Sequence, residues 1–140
     1  MSPTVHDLAH ELAALLNAER YALEGDPTGL WIGSDRPIRR LALRLEPGRI
    51  PSDWADDLDA VLIHRPFGLW PAHLPEGLGV LAYHRALDNE LSVGSRPLAD
   101  ALNLAPDDEP LRRDGNAIGF IGAVRQPDTL PVLLRQLEAT

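Results

Sequence analysis

His64, His84 and Asp88 are the residues of this chain whose types and spacing could do chemistry. His64 ends the apolar run Ala60-Val61-Leu62-Ile63, His84 ends the run Val80-Leu81-Ala82-Tyr83, and Asp88 follows His84 by four residues. Two imidazoles and a carboxylate suit a borderline divalent ion such as zinc, manganese or iron and leave positions open for water. An ion so held lowers the pKa of its water and makes a hydroxide nucleophile near neutral pH. The plainer alternative is that each histidine closes its strand through a backbone carbonyl and that Asp88 caps a turn. Spacing alone leaves both open. A third option uses Arg65 and Arg85 with the two histidines to hold an anion such as phosphate, whose geometry suits the guanidinium fork.

Other chemistries are limited by composition. All 13 basic residues are arginine and cysteine is absent. Schiff-base lysines, the phosphate-loop signature, thiolate metal sites and disulfide frameworks are thereby excluded. A formal charge of −8 opposes nucleic acid, whose recognition needs a clustered basic excess. His6-Asp7-Leu8-Ala9-His10 spaces two histidines one helical turn apart, but aspartate is short for a general base and no third ligand follows, so a solvated helix face is expected. Trp31, Trp54, Phe67 and Trp70 are expected in the core or an interface, with Phe67-Gly68-Leu69-Trp70 placed to wall the site.

The elements that would position these residues follow from periodicity. Thr4 caps a helix over about 4–19 with Val5, Leu8, Ala9, Leu12, Leu15 and Leu16 on one face. Gly25-Asp26-Pro27-Thr28-Gly29 is a turn leading into Leu30-Trp31-Ile32, which Gly33 closes. Residues 39–45 alternate as a half-exposed strand towards a sheet edge, with Leu41, Leu43 and Leu45 on one side. The runs at 60–63 and 80–83 are apolar throughout, the pattern of strands buried on both faces. Between them, 65–78 is long enough for a parallel crossover, and Pro66, Pro71 and Pro75 make it mostly loop. Ser95-Arg96-Pro97 opens a helix with Leu98, Ala101 and Leu102 as its buried face. Residues 105–116 are expected to be a solvated connection, 117–124 a strand, and Asp128 or Thr129 the cap of a last helix carrying Leu130, Leu133, Leu134 and Leu137. Helices alternating with apolar strands imply an α/β fold, and sheets of that kind bind ligands beyond the carboxyl ends of their strands.

Asp59-Ala-Val-Leu-Ile-His64-Arg65-Pro66, then Leu81-Ala-Tyr-His84-Arg85-Ala-Leu87-Asp88, then Val93 to Leu104 together resemble the NIF-three-like dinuclear-metal-centre family, the GTP cyclohydrolase I type 2 homologues. Gly29-Leu-Trp-Ile-Gly33 is similar to that family's early glycine-bounded strand, and 118–124 to the strand closing its first lobe. The resemblance keeps its order along the whole chain and covers about the first half of a typical member. It implies His64 and Asp88 as metal ligands and His84 as a neighbour lining or assisting the site. Arg65 departs from the pattern, standing where a second histidine would be, and its fixed positive charge repels a metal ion. The family's carboxyl-terminal histidine and glutamate have no counterpart here.

The expectation is one α/β domain over 1–140, a mixed or mostly parallel sheet of about four to five strands with helices packed on it. Its metal site is His64, Asp88 and His84, neighboured by Arg65, Arg85 and Phe67. The function implied is a metal-dependent, hydrolase-like domain, cyclohydrolase-like by resemblance, acting on a small, nucleotide-like molecule with a reduced metal site. The competing class is a non-catalytic oligomerising or binding module in which Arg65 replaces the metal's charge and pairs with Asp88. A lone lobe exposes surface that a partner lobe covers, so a homo-oligomer is expected. No apolar run reaches the ~20 residues of a membrane span, and the first ten residues lack a signal-peptide pattern, so a cytoplasmic protein without membrane or nucleic-acid partners is expected.

Overall fold

A computed structural model describes residues 2–47, 58–125, 131, 132, 134 and 135. The chain falls into two compact units, Met1–Ala86 and Leu87–Thr140. In the first, α1 (Val5–Leu15) opens with the expected capping box: the Thr4 hydroxyl accepts from the Asp7 N–H, and the Asp7 carboxylate accepts from the Thr4 N–H at 2.8 Å. The helix stops earlier than periodicity implied. Leu16 caps it, Asn17 turns the chain at φ 47°, a left-handed conformation that asparagine tolerates, and α2 (Ala18–Tyr21) follows as a separate turn. Leu15, expected on the buried face, is exposed, whereas Val5 and Leu16 are buried.

Four strands form the main sheet: β1 (Thr28–Ile32), β2 (Leu41–Arg44), β3 (Ala60–Ile63) and β4 (Gly79–Tyr83), in the order β1-β4-β3-β2. β2 and β3 are parallel, as are β3 and β4, while β1 runs antiparallel to β4. The sheet is therefore mixed and β2 is an edge, as expected. The crossover from β3 to β4 is mostly loop, with one 3-10 turn at Pro71–His73. It lays Leu69 and Leu78 against Val61, Ile63 and Val80, the core of one sheet face, with Ala42 of β2 packed beside them. Burying each aliphatic side chain of this kind is worth roughly 1.5–3 kcal/mol.

Ala42 faces the core, and Leu43 and Leu45 are 73% and 70% exposed. On the opposite face α1 lies close: a Cβ on Gly79 would overlap Val5 Cγ1, so the strand needs glycine there, and the Tyr83 hydroxyl donates to Ala9 O at 2.8 Å.

Asp59, 1% exposed, sets the start of β3. Its Oδ2 accepts from the N–H groups of Arg39 (2.9 Å) and Arg40 (3.1 Å), and its Oδ1 faces the Arg36 and Arg39 guanidinium groups at 3.4 and 3.7 Å. Its carbonyl accepts from the Gly79 N–H at 3.0 Å, so one residue ties the approach to β2 to the starts of β3 and β4.

The second unit is irregular. α3 (Arg85–Asn89) begins at the end of β4 and runs across the boundary between the units. α4 (Arg96–Ala101) starts with Pro97 in its first turn as expected, but Ser95 makes no side-chain capping bond. The expected solvated connection instead holds β5 (Leu104–Pro106) and β6 (Leu111–Arg113), and the expected strand at 117–124 is two strands, β7 (Asn116–Gly119) and β8 (Gly122–Val124). β6 pairs with β7 across Asp114-Gly115, at φ 52° and 81°, and β5 pairs with β8. An Asp-Gly pair is the standard hairpin signal, and it lies within the stretch expected to be connection. Leu130, Leu133 and Leu137 of the expected last helix lie outside the described residues, as does Trp54.

The Arg39 N–H hydrogen bond holds the Asp59 carboxyl below its ordinary value of 3.8, against the opposing effect of burial and with help from the Arg40 N–H and the Arg39 and Arg36 charges. A depressed folded pKa contributes stability that is complete above the ordinary value and is lost as pH falls through the folded one. Thermal unfolding followed from about pH 6 to pH 2 should show Asp59→Asn less stable than the parent near pH 6, with the difference narrowing below about pH 4. A difference that stays constant over that range contradicts the role given to Asp59.

Candidate metal centre

Parallel pairing of Ile63 with Ala82 brings the carboxyl ends of β3 and β4 side by side, and both strands end in a histidine. The His64 and His84 rings meet edge to face, with centroids 5.0 Å apart and planes at 71°. Asp88 lies one turn along α3 from His84. One ligand atom from each of His64, His84 and Asp88 lies within 4.8 Å of the other two, and among the described residues this is the one such group of three or more histidine and acidic side chains. The group could hold a metal ion. Two imidazoles and a carboxylate are the donor set of a borderline divalent ion with open positions.

His84 is oriented by a residue that sequence reasoning did not single out. β1 runs antiparallel beside β4, so the turn before β1 arrives at the carboxyl end of β4, where the His84 N–H donates to Pro27 O at 3.3 Å. The carboxylate of Asp26, only 9% exposed, receives His84 Nδ1 at 2.5 Å and the Arg85 N–H at 3.4 Å. A carboxylate only accepts, so Nδ1 carries the proton and, in the neutral ring, Nε2 is the nitrogen left with a lone pair for a ligand. A carboxylate or carbonyl behind a ligating histidine is the common way of fixing ring orientation and raising basicity at metal sites. The signal was present in Gly25-Asp26-Pro27 but could be interpreted only once the direction of β1 was known.

The neighbours take different places. His64 and Arg65 are anchored through their own N–H groups to Arg44 O (3.0 Å) at the last residue of β2 and to Leu45 O (2.9 Å) at the residue after it. The Arg65 guanidinium approaches Glu46 at 4.0 Å. Phe67 stands edge-on to His84, centroids 6.4 Å apart, and walls the adjoining pocket, while Leu69 is buried in the core. Arg85 starts α3. His6 and His10 are on the exposed side of α1, with Asp35 and Glu11 3.9 Å away respectively.

No family model matches the chain, and no curated protein matches it in sequence. Solved structures do. Protein ybgI, of unknown function, superposes with a TM-score of 0.70 over 98% of this chain at 17% identity. TTHA1606 from Thermus thermophilus gives 0.69 over 98% at 22% identity, and reduced HcgD from Methanocaldococcus jannaschii gives 0.69 over 99% at 20% identity. The chain covers 60%, 61% and 60% of those proteins respectively. At these identities the superpositions show that the chain shares the fold of these proteins. Fold and site together define an α/β protein with a histidine and aspartate group able to take a metal ion. Among the described residues no helix is long and apolar enough to cross a membrane.

Long-range proton–nitrogen NMR correlation at about pH 8.5, where an ordinary imidazole is neutral, should show His84 as the Nδ1–H form. Asp26→Ala should release it into a mixture of the two neutral forms. The same single form in both proteins contradicts the orientation by Asp26.

Proposed function

We propose that this chain is a member of the NIF-three-like family and a metal-dependent, hydrolase-like domain acting on a small molecule. The convergence of His64, His84 and Asp88, with His84 held from behind by Asp26, is the observation that carries this reading. When bound, a divalent ion such as zinc, manganese or iron supplies Lewis acidity, polarising an electrophile and acidifying water. The chain's own residues do the rest. His64 and Asp88 offer ligand atoms, Asp26 accepts from His84 Nδ1 and so aims Nε2, and Phe67 restricts water on one side of the site. Because the domain spans 60–61% of the related structures, the substrate is part of the proposal; a nucleotide-like molecule fits the family resemblance. A homo-oligomer belongs to the same proposal, supported by the exposure of Leu43, Leu45 and Trp70 (73%, 70% and 68%), and a cytoplasmic location is proposed with it.

Arg65 favours the rival reading of a non-catalytic module. It follows His64 directly and brings a permanent cation to the rim of the pocket. Elemental analysis and a zinc titration of the purified protein separate the two. Specific uptake should weaken at least about tenfold in His64→Ala and in Asp88→Ala, and should strengthen in Arg65→His, which removes the repelling charge and adds a ligand. Absence of specific uptake in both the parent and Arg65→His overturns the metal-dependent reading and leaves the module.

A further inference from the structure

The first unit opens a pocket of about 470 Å³ whose lining, among the described residues, is Glu46, Pro47, Arg65, Phe67 and His84. That volume suits a small molecule. Of these residues only His84 belongs to the metal-binding group, which leaves an arginine, an acid and an aromatic ring to be explained. Arg65 cannot ligate a metal, because a guanidinium has donors and no acceptor. Its approach to Glu46, 4.0 Å between side chains 47% and 63% exposed, is a weak attachment that a better acceptor displaces. Phe67 is 60% exposed beside His84, an apolar ring surface that a flat partner would cover.

We infer that this pocket binds a small ring-bearing anion. Its carboxylate or phosphate oxygens lie on the guanidinium fork of Arg65, its ring lies against Phe67, and Glu46 accepts from an N–H or O–H on the ring. The inference deepens the hydrolase reading and rests on it for calling the ligand a substrate. Binding itself needs no ion.

Calorimetric titration of the full chain in chelator with phenyl phosphate, benzoate, inorganic phosphate and phenol tests it. Phenyl phosphate should bind about tenfold more tightly than inorganic phosphate, benzoate should bind, and phenol should not. Arg65→Ala should weaken phenyl phosphate by about tenfold to a hundredfold, with Arg65→Lys intermediate because a point charge lacks the fork. Phe67→Ala should remove the advantage over inorganic phosphate and leave inorganic phosphate unchanged. Both side chains are exposed, so the variants should keep the parent's circular dichroism and unfolding midpoint. No binding of phenyl phosphate or benzoate, or equal binding by the parent and Arg65→Ala, overturns the inference. Arg65-dependent binding in a protein that takes up no zinc supports the pocket while defeating the metal reading, and zinc uptake without phenyl phosphate binding does the reverse.

Discussion

Two short apolar strands paired in parallel govern everything else in this molecule. β3 and β4 carry no polar side chain between Ala60 and Ile63 or between Gly79 and Tyr83, so both faces must be covered and the pair belongs inside the sheet. The crossover that parallel pairing demands fills one face with Leu69 and Leu78, and α1 closes on the other over Gly79. Polar groups are then confined to the strand ends. Because parallel strands point the same way, the histidines that terminate them emerge at one edge of the sheet, next to each other.

Two aspartates, Asp59 buried and Asp26 half-buried, hold the opposite ends of this arrangement and illustrate how environment divides one residue type into two tasks. Asp59 sits at the amino ends of the strands and spends its oxygens on backbone N–H groups and two arginines. A buried carboxylate is tolerated there because its hydrogen bonds offset desolvation. Asp26 sits at the other edge, brought by the antiparallel β1 to the carboxyl end of β4, and faces an imidazole. The first aspartate fixes the register, and the second fixes the direction of a ring nitrogen.

Much of this was legible in residue order. The apolar runs at 60–63 and 80–83, the crossover between them, the edge position of β2 and the meeting of His64, His84 and Asp88 follow from strand periodicity and from where ligands sit in α/β sheets. Other features depend on contacts that local patterns do not contain. Alternation at Leu41, Leu43 and Leu45 reveals a strand but not which side is wet, and here the small Ala42 faces the core. The helix expected over about 4–19 stops at Leu15, because Asn17 takes a left-handed conformation just beyond it. Asp114-Gly115 was a readable hairpin signal obscured by the acidic, proline-bearing residues before it. Asp26 was hidden for a different reason: its role exists only through the antiparallel pairing of β1.

The central claim is that these strand ends form one metal-binding locus. Anomalous diffraction from crystals of the chain equilibrated with zinc tests it most directly. The account predicts one strong peak bounded by His64, His84 and Asp88, with Asp26 still bonded to His84 Nδ1. Full zinc occupancy elsewhere with that locus empty, or His64 and His84 turned apart, would contradict it.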